Sequence, residues 1–159
     1  MHAERFRRLA AVTAGSTFLL MCVGAYTKAI GAGLACPDWP TCYGTWIPFL
    51  RPEVMATAPY TTGQVFAEWL HRLLAMLTGL LLVATGVAAW RRDPRGRPEL
   101  AGVLAASLLP VQVLLGGLTV TRDLHALIVT AHLGTAVLIL ASVLVAAVGR
   151  RPTPGRSPR

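Results

Sequence analysis

The sequence predicts an all-α integral membrane protein, a bundle of four transmembrane helices with both termini in the cytoplasm. Three observations predict it. Hydrophobic residues make up 54% of the 159 positions, only 14% are charged, and the mean hydropathy is +0.56, which is far from a soluble composition. Four apolar segments are long enough to cross a bilayer core of about 30 Å. Short arginine clusters precede the first segment, lie between the second and third, and follow the fourth, so that all of them fall on one side of the membrane.

The apolar segments run over residues 9–30, 66–90, 100–120 and 126–148. Each approaches or exceeds the roughly 20 residues that a membrane-spanning helix needs. The first follows an arginine-rich start, as a signal peptide would, but its apolar core is too long and no small-residue cleavage site follows it. We therefore predict that it is a membrane helix.

The net charge of +8 is explained by topology rather than by a nucleic-acid partner. The arginine clusters lack the interleaved aromatic and polar residues of a nucleic-acid-binding face, so no such partner is expected. Because short cytoplasmic segments accumulate Lys and Arg, we predict a multi-pass protein of the cell membrane. Its cytoplasmic parts are the tails 1–8 and 149–159 and the linker 91–98, and its outer parts are the loop 31–63 and the turn 121–125.

The outer loop contains two cysteines, Cys36 and Cys42, around a Pro-Asp-Trp-Pro turn. Residues 31–44 are too rich in Gly and Pro to continue a helix. A disulfide suits both the short spacing and the oxidising side of the membrane, either as a structural staple or as a redox-active pair. Two free thiols, or a metal site with a spacing unusual for zinc, are the alternatives. The rest of the loop is expected to lie on the membrane surface, with a short helical turn.

A polar cluster, Glu68-Trp69-Leu70-His71-Arg72, opens the second apolar segment. Spacings of three and four residues place Glu68, His71 and Arg72 on neighbouring parts of one helical face. Ionisable groups in a membrane helix are costly, which favours a functional site. The alternative is a self-neutralising Glu–Arg pair beside a hydrogen-bonded core histidine.

Two histidines are predicted to lie at equal depth, since His71 and His132 each fall about eight residues, or roughly 12 Å, from the outer ends of their helices. Gln112 and Cys22 fall near the same layer. Histidines from two helices at matching depth are what axial ligation of a haem iron requires. A copper site, a proton relay or a structural role remain alternatives. Glycines are expected to leave room for the macrocycle, and three cations to pair with its propionates: Gly79, Gly86, Gly116, Gly117 and Gly134, and Lys28, Arg72 and Arg122.

Four motifs resemble heme A synthase in order and spacing. They are GLACPDWPTC at 33–42, EWLHR at 68–72, VQVLLGGLTV at 111–120 and TAHL at 130–133. The resemblance implies an enzyme that oxidises the C8 methyl of heme O to a formyl group by successive hydroxylations, which yields heme A. Heme b would be the prosthetic group.

The resemblance also implies roles for single residues. His71 and His132 are expected to ligate the haem iron, and Glu68 to be the catalytic carboxylate. Cys36 and Cys42 correspond to a cysteine pair that takes part in the reaction or braces the loop. Arg72, Gln112, Lys28 and His125 are expected to lie around the haem, although Lys28 stands where an arginine is common, which weakens any bidentate propionate contact assigned there.

This chain is shorter than full-length members of that family, which have eight helices in two similar halves. This chain matches one half only, so we expect a half-size, four-helix member. Its Glu-x-x-His motif and cysteine pair resemble the half that binds the substrate haem, and whether the bound haem is the substrate, the prosthetic group or each in turn stays open. A homo-oligomer would then supply further haem sites, and a heme O synthase and an electron donor are expected partners. The competing hypotheses are a non-catalytic bis-histidine haem carrier and a structural subunit of an oxidase. Glu68 and the cysteine pair favour the enzyme, because haem ligation alone needs neither.

Overall fold

The computed structural model describes residues 3–92 and 95–149, and all regular structure within those ranges is helical. A single-turn 3-10 helix, Pro48–Leu50, precedes the second of six α-helices. These are α1 (Ala3–Ala29), α2 (Pro52–Thr57), α3 (Thr62–Arg92), α4 (Arg97–Ser107), α5 (Leu109–Thr121) and α6 (Ala126–Val148). The predicted all-α class is confirmed.

Four helical units are long and apolar enough to cross a membrane: α1, α3, the α4–α5 pair and α6. The predicted four-span organisation is therefore confirmed, and α6 covers the predicted residues 126–148. The other spans extend beyond their apolar cores into polar residues. Hydropathy finds the part of a helix that lies in lipid, whereas hydrogen bonding and packing decide where the helix ends.

Helix α1 begins at Ala3, so the segment predicted as an N-terminal tail is helical where it is described. Glu4 pairs with Arg8 at 3.0 Å across one turn, and its position in the first turn suits the positive end of the helix dipole. Phe6 is fully buried, and the guanidinium of Arg92 lies 5.5 Å from its ring centroid. These contacts fix the first turns of α1 against the rest of the bundle.

The third span is broken between α4 and α5, two residues before Pro110, and a proline inside an apolar helical segment predicts such a break. Leu108 separates the two helices with φ −78° and ψ −15°. Because proline has no N–H, Pro110 cannot continue the helical hydrogen-bond ladder. Helix α4 packs against α3 and α6, whereas α5 packs chiefly against α6. The break therefore changes the helix neighbours of the third span along its length.

The helices form a ring in which α1 lies between α3 and α6, and α4 closes the gap between α3 and α6. Small buried residues allow close approach; they include Ala10, Ala14, Ala105 and Ala146. Hydroxyl pairs join α1 to α3, with Thr13 bonded to Thr85 at 2.9 Å and Ser16 to Thr78 at 2.7 Å.

The connection between α1 and α3 has a small core of its own, made of residues from the loop and the start of α3: Ala32, Ala35, Cys36, Cys42, Val65 and Ala67. Phe49, Phe66 and Trp69 form an aromatic cluster beside it, with ring centroids 5.5–5.9 Å apart. The Trp69 indole donates to the Trp46 carbonyl at 2.7 Å. The 3-10 helix and α2 supply the short helical structure that was predicted in this loop.

Candidate haem site

His71 on α3 rests against Gly24 of α1. A methyl group built on Gly24 would lie only 2.7 Å from Cε1 of the His71 ring, a distance that real side chains do not tolerate. The imidazole is half-buried, and its Nδ1 is buried without a hydrogen-bond partner. The absence of a side chain at Gly24 thus leaves the space that the His71 ring occupies, and we call such a glycine the seat of the ring.

His132 on α6 is placed in the same way, against Gly116 of α5. A methyl group on Gly116 would lie 3.3 Å from Cε1 of His132, and the backbone carbonyl of Gln112 is beside the ring. The Nδ1 of His132 is also buried and unpartnered. The two imidazoles are close enough to interact electrostatically, and their pairing as ligands stays a prediction.

Three buried polar atoms of this layer have no hydrogen-bond partner: Nδ1 of His71, Nδ1 of His132 and Oε1 of Gln112. Such atoms are costly in an apolar surrounding unless a bound group completes them. Within the described ranges, no three His, Cys, Asp or Glu side chains cluster as ligands for a metal ion. A haem needs only two axial ligands, because its macrocycle supplies the other four, so this donor set fits a haem better than a bare ion.

Glu68 and Arg72 form an ion pair one turn from His71. The Arg72 Nε donates to Oε1 of Glu68 at 2.9 Å, and the two side chains are 13% and 7% exposed. Removing either partner of such a pair would leave an uncompensated buried charge, so each side chain holds the other in place.

Arg72 also holds the segment closed by the Cys36–Cys42 disulfide, which we call the disulfide ring (residues 36–42). Its Nη1 donates to the carbonyls of Asp38 and Thr41, both at 2.5 Å, and its Nη2 donates to the carbonyl of Cys36 at 2.9 Å. Four of the five N–H groups of the guanidinium are thereby engaged. The role of Arg72 as a propionate partner stays a prediction, with one N–H left to serve it.

The disulfide ring also reaches α5. The indole of Trp39 lies on Gly117, where an added methyl group would be 3.3 Å from Cδ2 of the tryptophan. Gly116 and Gly117 therefore receive a histidine and a tryptophan ring rather than leaving empty space. Gly79 and Gly86 likewise face side chains of the third span, Leu109 and Ala106, and Gly134 alone of the five predicted glycines has open space beside it.

Four further predicted residues lie on the surface. Lys28 in the last turn of α1, Arg122 at the end of α5 and His125 before α6 are exposed. Cys22 is a free thiol on the exposed side of α1. The position of Cys22 near the histidine layer stays a prediction.

Asp38 is the charged side chain of the disulfide ring. Burial by itself raises the pKa of this carboxyl, but hydrogen bonds from the Thr41 hydroxyl and from the Gly44 and Tyr43 backbone N–H groups outweigh it. The pKa therefore lies below its ordinary value of 3.8. Burial, together with the nearby Tyr60 and Asp38, raises the pKa of Tyr43 above 10.0. At neutral pH the ring thus carries a fixed carboxylate.

Sequence reasoning missed the contacts of Gly24 and Trp39. Gly24 indicates a close approach between helices, but nothing in the sequence says that a histidine ring makes that approach. The adjacent pair Gly116-Gly117 was the available signal, since two successive glycines in a membrane helix can receive two neighbouring groups.

Comparison with known proteins places the chain in a family. The profile of the cytochrome oxidase assembly proteins, COX15-CtaA, matches residues 7–158. The chain belongs to the COX15-CtaA family. The expected family resemblance is thereby confirmed.

Among COX15-CtaA relatives, the chain is 35% identical to the protoheme IX farnesyltransferase of Halobacterium salinarum over 144 residues. That match covers 91% of this chain and 29% of the relative. It is 30% identical to the heme A synthase of Shouchella clausii, with 91% and 45% covered, and 28% identical to that of Bacillus pumilus, with 89% and 43% covered. The chain thus spans less than half the length of these relatives. No solved structure matches it.

Proposed function

We propose that this chain acts in heme A synthesis, oxidising the C8 methyl of heme O to a formyl group. The observation that carries the proposal is the pairing of His71 and His132 in one layer, with Glu68 one helical turn from His71. Relatives named heme A synthase support it. Relatives named protoheme IX farnesyltransferase share the same segment, and haem is common to both names.

The histidines would hold the haem iron through ring nitrogens, each ring kept in place by its glycine seat. When bound, a haem supplies the redox chemistry that the side chains lack. Glu68 is placed to stabilise positive charge that develops at the substrate methyl, or to exchange a proton with it. The disulfide ring contacts Arg72 on α3 and, through Trp39, Gly117 on α5, so it would lie over the end of the site and limit the access of water.

The remaining assignments belong to the same proposal. Heme b would be the prosthetic group, and a homo-oligomer would supply the second haem site. An electron donor and a heme O synthase would be partners, and Lys28, Arg122 and His125 would meet the polar edge of the haem. The disulfide ring would face the outside of the cell, with both termini in the cytoplasm.

The test is co-expression with a heme O synthase, followed by extraction and chromatography of the haems. Heme A, or a hydroxylated heme O, is expected. Recovery of bound haem that is never oxidised would favour the carrier function, and absence of haem from the protein purified in mild detergent with haem supplied would favour a structural subunit.

Glu68→Gln is expected to abolish conversion while haem stays bound, because the amide keeps the shape of the side chain but neither carries the charge nor transfers the proton. We expect conversion to fall by at least about a hundredfold, the usual range for general acid–base groups. Haem content and the haem absorption spectrum should change little. Glu53→Gln on the exposed face of α2 is the matched control, and conversion by Glu68→Gln at the control rate would contradict the assignment.

A further inference from the structure

We propose that Arg72 is a positioning residue that joins the disulfide ring to Glu68, and that the Cys36–Cys42 disulfide acts by closing this ring rather than by exchanging electrons. What Glu68 does in the reaction rests on the proposed function. The link between Glu68, Arg72 and the ring does not.

The ring side of the link consists of three carbonyls directed at one cation. The carbonyls of Cys36, Asp38 and Thr41 all accept hydrogen bonds from Arg72, at 2.9, 2.5 and 2.5 Å. Hydrogen bonds from a charged donor are among the stronger ones in proteins. An open segment would lose backbone entropy on gathering three carbonyls around one group, whereas a cross-link between its ends removes part of that entropy beforehand.

The carboxylate side of the link is a single bond from the same guanidinium. The Arg72 Nε donates to Oε1 of Glu68 at 2.9 Å, and the guanidinium is planar, so the directions of its N–H groups are fixed relative to one another. A rotation that releases the ring carbonyls also turns Nε away from Glu68. The position of Glu68 therefore depends on the closed ring.

The burial of the sulfurs argues against electron exchange. Cys36 is 0% and Cys42 is 2% exposed, and thiol–disulfide exchange requires an attacking thiolate to reach a sulfur atom. The third cysteine, Cys22, lies exposed on α1. The disulfide is thus enclosed in the small core of the loop, where a brace is expected and a reactive pair is not.

The link is tested on the haem-free protein by the rate at which dicyclohexylcarbodiimide modifies Glu68, followed by mass spectrometry. The Cys22→Ser variant serves as the parent protein, because its two remaining cysteines are joined and it has no free thiol. Four forms are compared with it: Arg72→Lys, the open ring Cys36→Ser/Cys42→Ser, the reduced parent, and the reduced parent re-bridged with diiodomethane. In the last form the two thiolates displace two iodides, which gives a methylene bridge that closes the ring but cannot be reduced.

We expect Glu68 to be modified at least about tenfold faster in Arg72→Lys and in both open-ring forms, the change that accompanies loss of one charge-assisted hydrogen bond. The re-bridged protein should react as slowly as the parent. Arg51→Lys, an exposed arginine of the same connection, is the matched control. If the Cys36→Ser/Cys42→Ser variant fails to fold, Arg72→Lys and the re-bridged protein still test the proposal.

Parent-like modification of Arg72→Lys would overturn the link, as would fast modification of the re-bridged protein. Conversion of heme O tests the second part of the proposal, that the disulfide closes the ring and does not exchange electrons. The re-bridged protein should retain it within about threefold, a change of under 1 kcal/mol, and loss of conversion with Glu68 still protected would show that the disulfide exchanges electrons. A parent that makes no heme A would refute the proposed function, while the modification rates would still test the link.

Discussion

At the scale of single residues, two glycines determine where the histidine rings lie. Gly24 and Gly116 belong to different helices, and each receives the imidazole of a neighbouring one. In both cases the absence of a Cβ atom on the glycine leaves room for the ring. The proposed haem ligation would therefore depend on positions that carry no chemistry of their own.

Gly24→Ala is expected to weaken haem binding, because its methyl group would meet Cε1 of His71 at 2.7 Å. Overpacking of this kind costs about 1–3 kcal/mol, which corresponds to about 5- to 150-fold in the dissociation constant. The measurement is a haem titration followed by Soret absorbance. Gly15→Ala, on the same helix but with open space beside it, should bind haem like the parent, and equal affinities of the two variants would disprove the seat.

The sequence was sufficient to pair His71 with His132 but not to orient their surroundings. Depth follows from counting residues along a helix, because the rise per residue is fixed. Rotation about the helix axis has no comparable sequence marker in a chain that is apolar on most faces. Depth alone therefore placed Cys22 near the layer without saying which way it faces, and its thiol is exposed. No depth could be counted for Trp39, because it lies in a loop.

At the scale of helices, two hydroxyl pairs are among the polar contacts that join α1 to α3. Thr13 and Thr85 are both fully buried and lie 2.9 Å apart. Each hydroxyl also lies within hydrogen-bond distance of a carbonyl of its own helix, Leu9 or Leu81. Because a hydroxyl has one proton, the hydroxyl that donates to the other threonine does not also donate to its own helix. Neither hydroxyl is left unsatisfied when the other is removed, so the interhelical contribution is expected to be modest.

A double-mutant cycle with Thr13→Val and Thr85→Val should give a coupling energy near 0.6 kcal/mol, roughly the average for interhelical hydrogen bonds in membranes. The free energy of unfolding, measured by steric trapping in detergent or bicelles, provides the four values. Thr130→Val is the control, because its hydroxyl bonds within α6 and is exposed. Additive effects at positions 13 and 85 would show that the pair contributes nothing.

Helix existence followed from the sequence, whereas helix ends did not. Pro110 predicted the break in the third span because the missing N–H acts locally. The start of α1 at Ala3 depends on Phe6 packing beneath Arg92, a contact between residues far apart in the chain. Such tertiary contacts override a hydropathy window, which sees only neighbours in sequence.

At the scale of the whole molecule, the arginine distribution predicts one orientation in the membrane. The ends of α3 and α6 and the start of α4 lie with the arginine clusters, and the disulfide ring lies at the opposite end. Short basic loops stay in the cytoplasm, so the ring should face outward.

Single cysteines introduced into Cys22→Ser test this orientation in intact cells. Pro59→Cys, in the exposed part of the connection before α3, should react with a membrane-impermeant maleimide. Arg97→Cys, at the start of α4, should react only after the cells are lysed. The native cysteines are joined and buried, so they do not add background. The reverse pattern would invert the topology.

The convergence of three ring carbonyls on Arg72 also implies an order of assembly during synthesis. Arg72 follows Thr41 by 31 residues, so a ribosome completes the ring before it makes the cation that the carbonyls require. The ring can close covalently at once, yet its inner polar groups find their partner only when the second span arrives. Arrival of that span thus marks the moment at which the loop and the ion pair become a single folded unit, before α5 and α6 bring Gln112 and His132 to the histidine layer.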